Sequence, residues 1–300
     1  MATTEVAELF DTRFLHRLES LSLLARQLVR GRQRAERRSV LRGSSVEFAE
    51  YRPFAAGDDW RYIDWNAFAR WRQLVLKLFV EEEDLHVHLL LDCSGSMDWG
   101  SPVKYDHARR VVAGLAYITL ANLDRAAVVS LGHDESMRWS PSRGRHRFLQ
   151  LLRFLAKCPV VGNSFRLEDA ARRWVGAQPR RGVALWVGDL WGMDGEDALK
   201  AIDRIRYARH EVAVIQLMDP AEGHAGDIGE FEFQDCESGE KRMVIVDSRA
   251  TREYRKRFED YQQSILTYCR RHQIPLLQVD TQVDVDDLLM KSLMHGGFVR

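Results

Sequence analysis

Short apolar runs alternate with amphipathic segments over most of this 300-residue chain. Five of the runs have the length and composition of buried strands: His86–Leu91, Ala126–Leu131, Val183–Val187, Glu211–Leu217 and Pro275–Val279. The segments between them repeat apolar residues at helical spacing: Val103–Leu123, Arg147–Ala156, Leu167–Val175, Glu196–Tyr207, Thr251–Arg271 and Val285–Leu293. Strands that alternate with helices form right-handed crossover units, so the pattern predicts an α/β fold with a mostly parallel sheet flanked by helices.

Two segments depart from this alternation. Residues 43–83 are dense in aromatic and charged side chains, and residues 220–248 contain a predicted hairpin, Glu230–Phe233 and Arg242–Val246, around a Glu-Ser-Gly-Glu turn. Short extended segments are marginally stable alone. We therefore expect 43–83 and 220–248 to form one small β-containing subdomain beside a main domain over 84–300.

The N-terminal residues 1–42 are predicted to form a helix followed by a basic segment. Apolar residues recur at helical spacing over 5–30, and arginines crowd 30–42. A run of arginines is typical of a solvated helix end or loop, and it is also the pattern of a patch that binds an anionic partner.

Charge and cysteine usage exclude several classes of protein. Lysine and arginine number 44 together, as do aspartate and glutamate, so the net charge favours no nucleic-acid partner. The longest uncharged apolar stretch, Val111–Leu123, is too short to span a bilayer, and Glu5, Glu8 and Asp11 interrupt any signal-peptide core. The four cysteines form no CxxC pair, which is typical of a reducing compartment. We expect a cytoplasmic protein without a membrane span.

A cluster of oxygen donors follows the first predicted strand of the main domain. Asp92 ends the run that begins at His86, and the hydroxyls of Ser94 and Ser96 follow at steps of two. Ligands of open α/β sheets bind beyond the carboxyl ends of the strands. Hard oxygen donors of this kind suit Mg²⁺ or Mn²⁺. The loop therefore predicts a divalent-metal site, and the alternative is that the two serines only cap the following helix.

The loop Asp92-Cys93-Ser94-Gly95-Ser96 resembles the metal-ion-dependent adhesion site of the von Willebrand factor A family, whose motif is D-x-S-x-S with a distant Thr and Asp. The resemblance implies a von Willebrand factor A-like, Rossmann-type fold in which the serines and the Thr bind metal directly and the aspartates act largely through water. It implies Asp189, which closes the strand Val183–Val187, as the distant aspartate. It implies Ser164, in the turn Gly162-Asn163-Ser164-Phe165, in the place of the Thr.

A second resemblance is carried by residues 43–70, which read GSSVEFAEYRPFAAGDDWRYIDWNAFAR. This segment is similar to the pattern G-x-E-F-x-x-x-R-x-Y-x-x-G-D-D-x-R-x-I-D-W-x-x-x-A-R of the bacterial family called domain of unknown function 58, with Phe54 in the place of a Tyr. The resemblance extends from about residue 40 to the C-terminus. It implies a partnership with AAA+ ATPases of the MoxR type in the assembly or activation of other proteins.

Opposite charges and aromatic side chains interleave in this segment. One interpretation is an ion-pair network braced by two tryptophans: Asp58, Asp59, Arg61, Asp64 and Arg70, with Trp60 and Trp65. Another is a partner-binding face made of Arg61, Asp64, Trp65 and Arg70, because aromatic residues and arginine dominate binding energy at interfaces. Paired carboxylates are also typical of an acid–base pair, but no nucleophile lies beside them in the sequence.

Two classes of function follow from these patterns. We expect a non-catalytic, Mg²⁺-dependent adaptor that binds a client protein, an AAA+ ATPase of the MoxR type, or both. The alternative is a metal-dependent phosphohydrolase of the haloacid dehalogenase type, whose chemistry also begins with a strand-end aspartate. That chemistry needs a second aspartate two residues later as its acid–base group, and Ser94 stands there. We therefore expect no catalytic activity.

Overall fold

The computed structural model describes residue 6 and residues 9–20, 40–41, 47–55, 57–80, 85–132, 137–161, 166–177, 180–192, 196–224, 226–236 and 239–294. The chain forms two compact units. The larger unit comprises Met1–Arg26 and Leu85–Arg300, and the smaller unit comprises Gln27–Asp84.

The smaller unit is built around an antiparallel sheet. Its strands are β1 (Val40–Leu41), β2 (Glu47–Pro53) and β3 (Val75–Val80), in the order β1-β3-β2. A 3₁₀ turn (Trp60–Tyr62) and helix α1 (Trp65–Trp71) lie between β2 and β3 in sequence. Helix α1 begins after Asp64, whose carboxylate accepts hydrogen bonds from the N–H groups of Asn66 and Ala67, as an aspartate N-cap does.

The described part of the larger unit contains strands β4 (His86–Asp92), β5 (Arg125–Leu131), β6 (Arg138–Arg143), β7 (Val183–Gly188), β8 (Glu211–Met218), β9 (Gly229–Gln234), β10 (Lys241–Val246) and β11 (Leu276–Asp280). Six of them form one sheet in the order β11-β8-β7-β4-β5-β6. Every neighbouring pair is parallel except β5 and β6. Strands β9 and β10 form a separate antiparallel hairpin, as the sequence predicts.

Helices cover both faces of this sheet. They are α2 (Lys104–Ala121), α3 (Phe148–Lys157), α4 (Leu167–Ala177), α5 (Asp197–Tyr207), α6 (Ser248–Arg271) and α7 (Val285–Met294), with 3₁₀ turns at Gly95–Met97, Arg145–Arg147 and Pro220–Gly223. Leu89 and Leu91 of β4 pack in the same apolar cluster as Leu115 of α2. Leu90, which lies between them, packs with Trp174 of α4 in a second cluster, because successive side chains of a strand point to opposite faces. The predicted α/β fold, with a mostly parallel sheet flanked by helices, is confirmed.

Residues 9–18 contribute to the core of the larger unit. Residues 12–20 are helical, and Leu9, Phe10, Phe14 and Leu18 are buried in the cluster that contains α2 and α7. Arg110 Nε of α2 donates to the carbonyl oxygen of Leu9 at 2.8 Å. Most of the arginine-rich stretch 30–42 lies outside the described residues. The joint packing of 43–83 with 220–248 stays a prediction.

Strand β6 is the antiparallel partner of β5. The sequence offers Glu135–Ser140 as a candidate hairpin partner for that strand, whereas β6 runs from Arg138 to Arg143. The strand continues through Pro141 because it lies at the edge of the sheet, where a residue without an N–H is tolerated. The pairing also shifts register between Ala126 and Val128 of β5.

Among the described residues, no helix combines the length and the apolar character needed to cross a membrane.

Candidate metal site

Asp92 ends β4 and Asp189 follows β7, the neighbouring strand, at the carboxyl edge of the sheet. The parallel register pairs Leu91 of β4 with Val187 of β7, so the two aspartates lie at the same edge. Both aspartates are fully buried. Gly188 makes the approach feasible, because a Cβ at this position would lie 2.3 Å from the Cβ of Asp92. The structure therefore brings both residues to one edge of the sheet, and their role at a metal ion stays a prediction.

The loop after Asp92 brings two hydroxyls together. Asp92 Oδ1 accepts a hydrogen bond from the Ser94 N–H at 3.0 Å, which folds the loop back onto the strand end. Ser94 Oγ and Ser96 Oγ are 3.0 Å apart. Ser94 precedes the 3₁₀ turn Gly95–Met97 but makes no side-chain capping hydrogen bond to it. The alternative that this serine serves as a helix cap is therefore not supported.

The spacing of the two hydroxyls fits the predicted ion. Neighbouring oxygens of an octahedron with Mg–O distances of about 2.1 Å are separated by about 3.0 Å. Within the described residues, no group of three or more His, Cys, Asp or Glu side chains is arranged to hold a metal ion. The predicted site instead combines hydroxyl oxygens with carboxylates, and Asp92, Ser94, Ser96 and Asp189 are the described residues that would hold Mg²⁺ or Mn²⁺.

The third predicted hydroxyl, Ser164, lies outside the described residues. The chain that leads to it runs beside the loop, since the Val161 N–H donates to the Cys93 carbonyl oxygen at 2.7 Å. A parallel bridge joins Ser94 and Val161. The structure therefore places residue 161 next to the predicted site and leaves the role of Ser164 a prediction.

The carboxyl edge also contains a lysine that the sequence interpretation missed. Lys104 opens helix α2, and its Nζ donates to Asp189 Oδ2 at 2.7 Å. The same ammonium forms a second ion pair with Glu222, in the 3₁₀ turn after β8. A signal existed in the sequence, because Lys104 lies on the same helical face as Ala108, Val111 and Leu115, where a solvated lysine is not expected.

Burial controls the titration of this ion pair. Loss of solvation favours neutral Lys104, but the Asp189 and Glu222 carboxylates outweigh it and hold the pKa of Lys104 above its ordinary value. Burial raises the pKa of Glu222, although the Lys104 ammonium opposes this. A buried charge of this kind persists only where opposite charges and hydrogen bonds compensate its desolvation.

The turn that carries Glu222 is itself well ordered by hydrogen bonds. Asp219 and Glu222 form a capping box, in which each side chain accepts from the backbone of the other end of the turn. Asp219 Oδ2 also accepts from the Ser101 N–H at 3.0 Å, which ties the loop before α2 to the end of β8. Glu222 is therefore presented to Lys104 from a fixed backbone position.

Cys93, inside the loop, has a packing role in this structure. Its side chain is fully buried, and its Sγ lies 2.8 Å from Ser130 Oγ. Burial raises the pKa of its thiol well above the ordinary value. The reactive thiolate is therefore disfavoured, as is typical of a structural cysteine.

The signature segment, residues 43–70, lies in the smaller unit. Its four predicted partner-binding residues differ in exposure. Asp64 is buried as the N-cap of α1, and its Oδ2 accepts from the Tyr51 hydroxyl at 2.9 Å. Trp65 is 58% exposed, and Arg61 and Arg70 are exposed as well. The exposed surface of the segment is therefore aromatic and basic, whereas Asp64 stabilises the helix start.

The carboxylates of this segment have partners within the smaller unit. Asp58 pairs with Arg52 at 2.5 Å, and Asp59 lies 3.7 Å from Arg61 Nε. Asp64 accepts hydrogen bonds from a hydroxyl and from backbone N–H groups. A wider ion-pair network that joins them stays a prediction.

The family described as protein of unknown function DUF58 matches residues 50–264. An uncharacterized protein of Mycobacterium tuberculosis is 27% identical over 283 residues, which cover 91% of this chain and 87% of that protein. An uncharacterized protein of Mycobacterium avium is 32% identical over 167 residues, which cover 52% of this chain and 95% of that protein.

Two solved structures have a distant likeness. The protein BatB of Bacteroides thetaiotaomicron has a TM-score of 0.41 and 13% identity, with 71% of this chain and 100% of that chain covered. The pilus adhesin SpaC of Lactobacillus rhamnosus, in its open conformation, has a TM-score of 0.45 and 10% identity, with 72% and 30% covered. Nothing about function is carried over from likenesses of this size.

Proposed function

This chain belongs to the family of proteins of unknown function DUF58, and on that premise we propose that it is a non-catalytic, Mg²⁺-dependent adaptor. In this proposal the larger unit is a von Willebrand factor A-like domain, and its partner is an AAA+ ATPase of the MoxR type, a client protein, or both. The observation that supports the proposal most is the pair of hydroxyls, Ser94 and Ser96, held 3.0 Å apart beside buried Asp92.

The chain's own residues would prepare the site for a partner's acidic side chain. Ser94 and Ser96 supply neutral donors, so they leave the charge of a bound ion only partly neutralised. Asp92 and Asp189 supply negative charge from buried positions, where electrostatic interactions are stronger than in water. When bound, Mg²⁺ supplies a coordination position that a carboxylate from outside the chain completes.

The exposed part of the signature segment supports a second contact with a partner. Trp60 and Trp65 of this segment and the adjacent Trp71 are each more than half exposed, and Arg61 and Arg70 are exposed beside them in the sequence. Large aromatic side chains and arginine carry most of the binding energy of protein interfaces. A protein partner, not a small molecule, is the ligand that such a surface fits.

The first test concerns the metal. Asp92→Asn keeps the size of the side chain and an oxygen that accepts from the Ser94 N–H, but it removes the negative charge. We expect Mg²⁺ and Mn²⁺ binding, measured by isothermal titration calorimetry, to weaken at least tenfold. Asp98→Asn is the matched control, because Asp98 is exposed and lies outside the proposed donor set. Equal binding by wild type and Asp92→Asn would remove the site, and hydrolysis of p-nitrophenyl phosphate that Asp92→Asn abolishes would favour the phosphohydrolase.

The second test concerns the partner. A purified MoxR-type AAA+ ATPase from the same organism should be captured by the wild-type chain in Mg²⁺. Capture should fall sharply with EDTA and in Asp92→Asn, but only modestly with salt, because close contacts at a desolvated ion are screened little. Trp65→Ala should weaken capture without affecting metal binding. Capture that is unchanged by EDTA and is lost at moderate salt would instead indicate that the partner binds the arginine-rich segment 30–42. That result would contradict binding through the metal ion.

A further inference from the structure

Lys104 is a cation already present at the proposed metal site. Its side chain is 1% exposed, and its Nζ lies 2.7 Å from the Oδ2 of Asp189, one of the proposed metal ligands. Oδ1 of the same carboxylate accepts from the Trp191 N–H at 3.0 Å. Both oxygens of Asp189 therefore have hydrogen-bond partners within the chain, and a metal ion at Asp189 would share the charge of this carboxylate with the Lys104 ammonium.

Carboxylates outnumber the lysine at this edge. Asp92, Asp189, Asp219 and Glu222 lie at the ends of β4, β7 and β8 or in the turn that follows. In their ionised forms, these four and the Lys104 ammonium sum to a net charge of minus three. A divalent ion would offset most of this charge. A divalent ion next to Asp189 would be repelled by the ammonium, and charge repulsion is strong where water is excluded.

Glu222 gives the ammonium a second position. It forms an ion pair with the same Nζ, and it is held by the capping box with Asp219. The Tyr254 hydroxyl of α6 also donates to the Glu222 carbonyl oxygen at 2.7 Å. Lys104 therefore retains a charged hydrogen-bond acceptor when Asp189 binds another cation.

We propose that Lys104 sets the metal affinity of this site, because its ammonium competes with the divalent ion for Asp189 and is retained by Glu222 when the ion binds. This inference rests on the proposed function, since it concerns the same metal. It assigns Lys104 as the residue that holds metal affinity down and Glu222 as a positioning residue that limits this effect by retaining the ammonium, so that occupancy follows the concentration of free metal or the arrival of a partner's carboxylate.

The central experiment compares Mn²⁺ binding by wild type and Lys104→Met. Methionine keeps the length and the apolar stem of lysine but removes the charge. Competition predicts that Lys104→Met binds Mn²⁺ at least tenfold more tightly, by calorimetry or electron paramagnetic resonance. A merely structural lysine predicts equal or weaker binding. Lys200→Met is the matched control, because Lys200 is an exposed lysine of α5 that pairs with Glu196, and its affinity should equal that of wild type.

Glu222→Gln provides a test in the opposite direction. The amide takes away the charged acceptor that retains the ammonium, so Lys104 should hold Asp189 more firmly and Mn²⁺ should bind at least threefold more weakly. Glu196→Gln removes one exposed carboxylate and serves as the control for a general loss of charge. If Lys104→Met does not fold without metal, Glu222→Gln decides the question. Unchanged Mn²⁺ binding by Glu222→Gln would then overturn the inference.

The outcomes separate the inference from the proposed function. If the wild type binds Mn²⁺ and folded Lys104→Met binds it equally or more weakly, the role of Lys104 is overturned. The metal site itself would still stand. Binding by neither protein would overturn both. Binding by Lys104→Met alone would support the inference in its strongest form, in which the ammonium keeps the metal out until a partner arrives.

Discussion

At the scale of single residues, this molecule depends on ionisable groups held in a dry interior. Lys104, Asp92 and Asp189 are almost completely buried, and His88 and His107 are buried too. The carboxylates beside Lys104 raise the pKa of its ammonium, so the lysine stays charged, whereas the two histidines stay neutral. Burial lowers the pKa of His88 to about 4, and burial together with the nearby Arg110 charge lowers the pKa of His107 to about 4.

These histidines predict a loss of stability in mild acid. Below their ordinary pKa of about 6.5 the unfolded chain binds a proton at each histidine. The folded chain does not bind these protons until the pH approaches about 4. The unfolded state then binds more protons, so the free energy of unfolding falls as the pH is lowered through this window. Each histidine should account for about 2 kcal/mol at about pH 5.

Urea unfolding at about pH 7 and about pH 5 measures this effect. His107→Gln and His88→Gln should each reduce the difference in unfolding free energy between the two conditions. His146→Gln should not, because His146 is exposed. Identical pH dependence in all three variants would mean that other groups cause the acid sensitivity. The difference between conditions is the quantity to compare, since His88 also packs against Trp174 with ring centroids 5.5 Å apart.

The sequence predicted part of this residue-scale picture. Asp92 was predictable because an acid directly after a buried apolar run must lie at the edge of the sheet. The partnership of Lys104 with Asp189 and Glu222 was not, because these residues are 85 and 118 positions away in the chain. Spacing along one helix indicates which face of the helix Lys104 occupies, but not which carboxylates contact its ammonium.

At the scale of elements, helix α2 is shaped by what packs on it. Gly114 lies in the middle of this helix, where glycine is about 1 kcal/mol less favourable than alanine. A Cβ at Gly114 would lie 2.4 Å from Leu289 Cδ1 of α7 and 3.3 Å from Leu18 Cδ2. The glycine therefore exchanges helix propensity for the close approach of two other helical segments.

A matched pair of substitutions tests this packing. Gly114→Ala should lower the free energy of unfolding, because overpacking costs about 1–3 kcal/mol and outweighs the gain in propensity. Gly176→Ala, near the end of α4, should be neutral or stabilise the protein by up to about 1 kcal/mol, since its Cβ would meet nothing within 4 Å. Chemical denaturation of both variants gives the comparison. A Gly114→Ala protein that is more stable than wild type would contradict the described approach of Leu289 and Leu18.

The hairpin of β9 and β10 shows the opposite case, in which an element has little packing. Met243 and Ile245 are each 69% exposed, while Val246, next along β10, is 3% exposed. The turn residues and the alternation of the flanking strands predicted this hairpin, because both are local signals. No local signal indicated that apolar side chains of β10 would remain in solvent, since exposure depends on which elements come near.

At the scale of the whole molecule, two segments that are far apart in sequence, residues 12–20 and α7, pack in the same cluster as α2. Leu18 from the first residues and Leu289 from α7 are both fully buried in the cluster that contains this helix. Arg17 also pairs with Asp284 at 3.0 Å. The sequence predicted amphipathic helices at both ends, but amphipathicity specifies only that an apolar face is covered. The partner of that face was decided by the fold.

The sequence by itself determined the α/β alternation, the strand-end position of Asp92 and of Asp189, the spacing of Ser94 and Ser96, and membership of the family through residues 43–70. Each of these depends on a local period or a short motif. Only the tertiary structure decided that Lys104 and Glu222 share the edge with Asp189, that Asp64 is buried at the start of a helix, and that His88 is buried. These facts depend on contacts between distant segments, which hydrophobic burial drives without direction, so the charges that meet at the carboxyl edge are set by how the strands are ordered in space.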